Sequence, residues 1–379
     1  MMFIIIVISL GYLFVILGLV LEGFTYKARP HRASKPSVSN DFSFSIIINY
    51  RNEDHNLPAL LLSISQLKFD FNRVEFLFIN DDSSDSSLSI LEKFITDNND
   101  ITVQLLERIP VSKSAKKDGI TQALEIAKHE HIICTDADVN LPQRWLMAYE
   151  KHYQLLPDLH FIAGPVEMTH SNNLLSQLQH SEMVALQMTT IGGFSIRQPF
   201  MCNGANMSFT KTAFQEVNGY LGNDHISSGD DIFLLEKLAA EDVLKCSYLK
   251  SQDAVVKTFP KSSWKEMIHQ RVRWSQKGKS TKSTLNKLVS FQVLMMNLLF
   301  ILAPFLWFLN WLNNAQFFIV LIIKIVVDVI VIFTGNRFFS NTKWPIYLLP
   351  QLVIYPIVVI SIALKSLSKP SWKDRQVEL

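Results

Sequence analysis

An α/β domain with a mostly parallel central sheet, flanked by transmembrane helices, is the fold class this sequence predicts. Short runs rich in β-branched and aromatic residues, at 44–50, 74–79, 101–107 and 131–136, alternate with helix-like stretches, which is the spacing of strands joined by crossover helices. Several of these runs end in acidic residues, and open α/β sheets collect their ligands beyond the carboxyl ends of the strands. Both ends of the chain carry uninterrupted apolar runs long enough to cross a bilayer.

Composition agrees with that division. For a chain of 379 residues, a hydrophobic fraction of 48% and a mean hydropathy of +0.17 are too high for a wholly soluble protein. The net charge of +2 is small, and the basic residues collect beside apolar runs without an aromatic ladder, so nucleic acid is excluded as a partner. Cys134, Cys202 and Cys246 are too widely spaced for a disulfide framework or a metal quartet and are read as reduced packing residues.

Residues 2–20 are uncharged and almost wholly apolar. With no positive segment before them and no small-residue cleavage site after them, residues 1–22 are expected to be a retained anchor. A linker, 23–41, carries Lys27, Arg29, His31, Arg32 and Lys35, and the positive-inside tendency places the next domain, 42–287, in the cytoplasm.

That domain opens with a strand, Phe44–Tyr50, followed by Arg51-Asn52-Glu53 and a helix over about 58–67. Asn52 and Glu53 either cap this helix or contact a nucleotide. The second strand ends in Asn80-Asp81-Asp82-Ser83-Ser84-Asp85. Asp81, nearest the strand end, is the functional candidate; Asp82 and Asp85 suit a turn and a helix cap, and Ser84 is a further cap candidate. Lys113, Lys116 and Lys117 precede or enter a helix over 115–129, where a cation and the helix N-terminus could meet a diphosphate; Lys117 is preferred. No Walker pattern and no Gly-x-Gly-x-x-Gly follows a strand, which sets aside phosphate-loop ATPases and ordinary dinucleotide enzymes.

Strand 131–136 ends in Asp136-Ala137-Asp138. Carboxylates at i and i+2 in a curving loop can aim oxygens at one site, and Mg²⁺ or Mn²⁺ takes such hard ligands while keeping positions open for phosphate. The same pattern also occurs in plain turns. A helix start at 141–146, a strand at 161–166 and a helix over 172–189 follow, after which Gly192-Gly193 should introduce a loop containing Asn203 and Gly204. There the small residues would let backbone approach a sugar and the polar ones would bond its hydroxyls. A mobile loop after Gly222 leads to Gly229-Asp230-Asp231, at a helix start; one aspartate suits the cap and the other, Asp231, a general base. Strands near 245–249 and 253–258 precede a helix in which Gln270, Arg273 and Trp274 share one face, a guanidinium for phosphate oxygens and an indole for an apolar floor. Lys277, Lys279, Lys282 and Lys287 then suit a membrane flank.

The C-terminal membrane region, 288–365, holds apolar runs at about 289–311, 316–334 and 345–364, the last containing Pro350 and Pro356, which makes two or three further spans. Four complete spans would put both termini outside, against Lys365, Lys369, Lys373 and Arg375 around the polar tail, 366–379. Either the tail breaks the trend or the last segment is re-entrant.

The ordered set Arg51-Asn52-Glu53, Asn80 to Asp85, Lys116-Lys117, Asp136-Ala137-Asp138, Gly229-Asp230-Asp231 and Gln270-Arg271-Val272-Arg273-Trp274 resembles the membrane-bound, inverting family 2 glycosyltransferases, which include cellulose, chitin and hyaluronan synthases. The resemblance covers about 42–276 and implies a GT-A-like nucleotide-sugar-binding domain. It departs from the family where serine, Ser83, stands at the glycine of an Asp-Asp-Gly-Ser-like turn.

By that resemblance, Glu53, Asp81, Lys117, Asp136, Asp138 and Arg273 would bind the donor, Asp136 and Asp138 would also hold Mg²⁺ or Mn²⁺, and Asp231 would be the base. Asn203, Gly204, Asp230, Gln270 and Trp274 would face the acceptor. The implied reaction is inverting transfer from a nucleotide sugar, UDP-linked, to a growing polysaccharide in a bacterial-type inner membrane. Alternatives are a single transfer to a membrane lipid or lipid-linked acceptor, and a non-catalytic assembly subunit. Membrane lipids, a carbohydrate or lipid-linked acceptor and polysaccharide export subunits are the partners expected.

Overall fold

In the computed structural model, the structure describes residues 2–28, 41–224, 226, 228–339, 341, 343–367, 371–372 and 375–376. Arg29, His31, Arg32 and Lys35 of the linker, part of the loop after Gly222, the side chains of Lys277 and Lys279, and Lys369 and Lys373 of the tail lie outside the described residues. The chain forms two compact units, one of Lys27–Glu167 with Met201–Phe259, the other of Met1–Tyr26, Met168–Phe200 and Pro260–Val377.

The first unit is α/β. Its strands are Phe44–Tyr50 (β1), Val74–Asn80 (β2), Thr102–Glu107 (β3), His131–Asp136 (β4), Val139–Asn140 (β5), Phe161–Ala163 (β6), Val166–Met168 (β7), whose last residue opens the other unit, Met207–Thr210 (β8), Cys246–Tyr248 (β9) and Val256–Thr258 (β10). Seven of them form one sheet in the order β3-β2-β1-β4-β8-β6-β9. β1, β2, β3 and β4 run parallel, while β8 is antiparallel to both β4 and β6. Only β8 opposes the direction of the other six strands, so the sheet is mixed yet mostly parallel, as expected, and not purely parallel. β8 escapes a sequence reading because it is short and half polar; its Ser208 is buried and bonded to the Ile132 carbonyl (2.7 Å) and to Tyr153 Oη (2.8 Å).

Ile46, Ile47 and Ile48 in β1 are fully buried, as expected for a central strand covered on both faces, and each contributes roughly 1.5–3 kcal/mol of hydrophobic stabilisation. β2 is buried throughout. Its Glu75 is tolerated there because Ser45 Oγ and the Lys128 N–H, each at 2.6 Å, and Gln104 Nε2 at 3.1 Å donate to it. The register sets Tyr50 beside Asn80, Asn80 beside Glu107 and Asn49 beside Asp136. Four carboxyl ends thus finish level, and the loops that follow them open on one edge.

The second unit is helical. Four of its helices, Phe3–Thr25, Thr284–Phe308, Asn314–Phe339 and Trp344–Lys365, are long and apolar enough to cross a membrane. The last runs unbroken through Pro350 and Pro356. Leu174–Ser195 is a single helix capped by Asn173, whose Oδ1 accepts the Ser176 N–H at 2.8 Å. It passes straight through Gly192-Gly193, which corrects the expected loop start. These glycines serve close packing: a Cβ at Gly192 would stand 2.0 Å from the Leu19 carbonyl oxygen, and one at Gly23 2.4 Å from that of Met188. Within the spans, Tyr12 Oη donates to Asp328 Oδ1 at 2.6 Å, and Asp328 pairs with Lys324 one turn away.

Candidate active site

On the level edge of the sheet, the loops after β1 and β2 are tied to each other. Asp81 N–H donates to the Tyr50 carbonyl (2.9 Å), Asn52 N–H to Ser83 Oγ (3.1 Å), Ser84 N–H to Asn52 Oδ1 (2.8 Å) and Asp54 N–H to Asp85 Oδ2 (3.0 Å). Asn52 and Asp82 carry the positive φ angles of this pair of turns, +50° and +58°, a conformation that Asn and Asp tolerate. Ser83 therefore needs none of glycine's freedom, and its hydroxyl has a partner.

Glu53 lies at the head of the helix Leu57–Ser65: its carbonyl accepts the Asn56 and Leu57 N–H groups, both at 2.9 Å, and its Oε2 takes Asn56 Nδ2 at 2.7 Å. Ahead of the next helix, Ser87–Asp97, Asp85 Oδ1 accepts the Ser87 N–H at 3.0 Å, while Ser86 holds the N-cap position without a side-chain cap bond, so neither Asp85 nor Ser84 is the cap residue. Burial works against the Asp85 carboxylate, yet the bonds from Ser87 and the Asp54 backbone hold its pKa below the usual range.

Asp81 is buried and accepts Arg108 Nε at 2.7 Å, and Arg108 Nη1 continues to Asp118 Oδ2 at 3.1 Å. Asp118 in turn takes the N–H groups of Val111 (3.1 Å) and Ser112 (3.0 Å), fixing the loop after β3. Arg108 and Asp118 were not singled out from sequence. The available signal was a basic residue immediately after a strand whose end lies level with Asn80.

The centre of the edge is an acidic cluster closed by one lysine. Lys116 Nζ lies 2.6 Å from Asp136 Oδ1 and 3.1 Å from Asp230 Oδ2. Burial alone would lower its pKa, but Asp136 and Asp230 outweigh that and raise it well above the ordinary lysine value, so the ammonium stays charged. Asp230 and Asp231 are the first two residues of the helix Asp230–Asp242, entered through Gly229 at φ +86°. Asp231 is oriented by two backbone donors, Gly204 N–H to Oδ2 (3.2 Å) and Ile232 N–H to Oδ1 (2.8 Å). Gly204 is required here, because a Cβ would stand 2.8 Å from Asp230 Oδ2 and 3.0 Å from Lys116 Nζ. The structure thus brings Asp136, Asp230, Asp231 and Gly204 together.

Other expected residues go elsewhere. Lys117 is buried and donates to the carbonyls of Asn223 (2.6 Å) and Ile226 (2.8 Å); side chains on successive residues of a helix do not face the same way, and it is Lys116 that reaches the acidic cluster. Asn203 Oδ1 accepts the Ala205 N–H of its own turn at 3.0 Å. The buried hub nearby is Asn206, bonded to the carbonyls of Pro165 and Ala254 and to Trp145 Nε1 and Tyr149 Oη. Asp138 is half-buried and its carbonyl accepts Thr258 Oγ1 at 3.4 Å, where β5 pairs with β10. Cys134 is buried in β4, and that burial raises its thiol pKa.

Gln270, Arg273 and Trp274 belong to the helical unit, on the helix Trp264–Ser280. There the buried charged residue of the motif is Arg271. Its Nε donates to Glu182 Oε2 at 2.7 Å, its guanidinium lies 4.2 Å from the centre of the Trp274 ring, and Nη1 donates to Gln270 Oε1. Gln270 and Trp274 therefore meet around Arg271.

Asp136 and Asp138 offer the hard oxygen donors that Mg²⁺ or Mn²⁺ prefers. The Lys116 ammonium is itself a cation at the Asp136 carboxylate.

A model described as glycosyl transferase family 2 matches residues 45–216, and one described as glycosyl transferase family group 2 matches 131–358, more than half of the chain. The poly-beta-1,6-N-acetyl-D-glucosamine synthase of Staphylococcus aureus (strain COL) is 25% identical over 272 residues, which are 69% of this chain and 61% of that protein. The Staphylococcus epidermidis enzyme of the same name is 26% identical over 240 residues, 62% and 54% of the two chains. The chain thus spans about three fifths of the length of these relatives. Among solved structures, a Pyrobaculum calidifontis mannosyltransferase in complex with GDP-Man and Mn²⁺ is similar in fold, with a TM-score of 0.55 at 13% identity, covering 96% of this chain and 99% of that one. With four helices long and apolar enough to span a bilayer and a family model over more than half of its length, this chain is a multi-pass membrane protein that belongs to the family 2 glycosyltransferases.

Proposed function

We propose that the chain transfers a sugar, with inversion, from a nucleoside-diphosphate sugar, UDP-linked, to a growing polysaccharide. Residues 42–287 are the catalytic domain on the cytoplasmic side of a bacterial-type inner membrane. The observation that carries this reading is Asp231, held by the Gly204 and Ile232 N–H groups within a cluster that also contains Asp230, Lys116 and Asp136. The names of the staphylococcal relatives favour a polysaccharide product.

The two backbone donors orient the Asp231 carboxylate. Asp231 takes the proton of an acceptor hydroxyl as that oxygen bonds to the anomeric carbon. The bond from that carbon to the diphosphate breaks on the opposite face, and its electron pair leaves with the nucleoside diphosphate. An α-linked donor gives a β-linked product. A divalent cation bound by Asp136 and Asp138 would supply charge neutralisation at the departing diphosphate. By this reading Asp81 and Glu53 would bind the nucleoside, Arg273 the diphosphate, and Asn203, Gly204, Asp230, Gln270 and Trp274 the acceptor.

The test is a panel of nucleotide sugars on membranes containing the full chain, with mass analysis of products. A ladder of products from one donor is expected, and Asp231→Asn should slow transfer by about 10²–10⁴-fold while keeping donor binding. A single added sugar on lipid would replace polymerisation by glycolipid synthesis. No consumption of any donor would leave the non-catalytic assembly subunit, and normal turnover in Asp231→Asn would sink the base assignment.

A further inference from the structure

The acidic cluster of the α/β unit already holds a cation of its own. The Lys116 ammonium bridges a carboxylate at the end of β4 and one at the start of the helix Asp230–Asp242, at 2.6 and 3.1 Å. The space around it is shaped for that arrangement, since a Cβ on Gly204 would stand 3.0 Å from Nζ and 2.8 Å from Asp230 Oδ2. The pair is not sealed: Asp136 keeps 37% and Lys116 26% of its side-chain exposure, so both can exchange partners without exposing a dry interior.

We propose that Lys116 is a resident counter-ion that competes with the divalent cation for Asp136 and gives way only when a nucleoside diphosphate arrives. Two positive charges on one carboxylate repel each other within a few ångströms, and partial burial strengthens the repulsion. The diphosphate removes the conflict because its oxygens accept the ammonium's hydrogen bonds and free Asp136 for the metal. Cation and nucleotide then bind with strong mutual assistance, and the nucleotide-free protein keeps Asp136 and Asp230 paired with an ammonium without metal. By linkage, the cation must raise nucleotide affinity by the same factor that the nucleotide raises cation affinity. This rests on the reading of Asp136 and Asp138 as the metal-binding pair.

The test is Mn²⁺ binding to the full-length protein in detergent, followed by electron paramagnetic resonance with and without UDP or GDP. The signal is taken as the difference from the Asp136→Asn/Asp138→Asn double variant. Wild type should bind Mn²⁺ weakly alone and roughly tenfold or more tightly with one of the nucleotides. Lys116→Met and Lys116→Gln should each bind Mn²⁺ roughly tenfold more tightly than wild type without nucleotide, and the nucleotide should add little. Lys116→Arg, which keeps the charge, should behave as wild type.

If both neutral variants bind nucleotide-free Mn²⁺ no more tightly than wild type, the counter-ion role is overturned while the metal site stands. If wild type shows no Mn²⁺ signal above the double variant under any condition, the underlying metal reading fails and takes the inference with it.

Discussion

The Lys116 site of the α/β unit and the helical unit both place lysine or arginine against carboxylates, but they treat those pairs differently. At the sheet edge, Lys116 and Asp136 keep 26% and 37% of their side-chain exposure. In the helical unit, Arg271 and Glu182 keep 3% and 9%, and Lys324 and Asp328 keep 1% and 13%. An open pair in water contributes little to stability and can trade a partner for a ligand. A sealed pair has already lost its hydration, so removing either member strands a charge. Sealed pairs occur in the α/β unit too, where Arg108 keeps 8% against 7% for Asp81 and 5% for Asp118, so the contrast sets the Lys116 site, able to exchange charges, apart from pairs built to hold them.

The largest expected effect tests the sealed side. Glu182→Ala leaves the Arg271 guanidinium buried without its carboxylate and should cost about 3–5 kcal/mol of stability, read as thermal denaturation in detergent. Replacing both residues together, Arg271→Met with Glu182→Leu, should recover most of that loss. Lys116→Met should cost less than that, because Asp136 at 37% exposure regains water, and the 8%-exposed Asp230 carries what loss there is. Equal losses for Glu182→Ala and Lys116→Met would erase the distinction between the open site and the sealed pairs.

How much of this was readable beforehand follows the same division. The strands β1, β2 and β4 were legible because continuous apolar runs announce them, and their level ends put Asp81 and Asp136 on one edge. β8 was not, because the residues that place it, such as Ser208, find their partners in the distant strand β4 and in Tyr153. Helix orientation was the second obstacle. Lys116 and Lys117 are adjacent, and only the packing of their helix decides which one meets Asp136 and which one holds the carbonyls of Asn223 and Ile226. The Gln-x-x-Arg-Trp spacing drew attention to Gln270, Arg273 and Trp274, whereas the buried anchor, Arg271, occupies a position the motif leaves unspecified.

A second prediction asks how dry the interior of the α/β unit is. His152 is buried with Nε2 2.9 Å from Ser247 Oγ, and burial pushes its pKa down to about 4; His131, packed 4.2 Å from the Tyr153 ring centre, is also pushed down to about 4 by burial, against a smaller opposing effect of Glu130. In the unfolded chain each titrates near 6.5. Between pH 6.5 and 4 the unfolded state therefore binds more protons, so stability falls as pH drops through that window and the loss levels off below about 4. Each histidine should contribute a loss on the order of 3 kcal/mol by pH 4. His152→Gln should flatten its share of the pH dependence in denaturation curves recorded between pH 7 and 4. An unchanged slope would show that His152 reaches solvent and that the interior is wetter than that of the helical unit.

The smallest effect concerns Lys117, a lysine of the α/β unit that behaves like those of the helical one. It is buried, donates to the carbonyls of Asn223 and Ile226, and lies 4.9 Å from the centre of the Phe233 ring. Lys117→Met keeps much of the packing but strands two carbonyls, at an expected cost of about 1–3 kcal/mol. That loss should be local. Hydrogen exchange should quicken in the peptide containing Asn223 and Ile226, while the amides of β1 and β2 keep their protection. Donor binding should change far less than in Lys116→Met, because Lys117 reaches the helix Asp230–Asp242 through the loop it holds and not through Asp136. If the two substitutions instead weakened nucleotide binding equally, the helix would present both lysines to the donor, and the division between an exchanging and a holding cation would fail within a single turn.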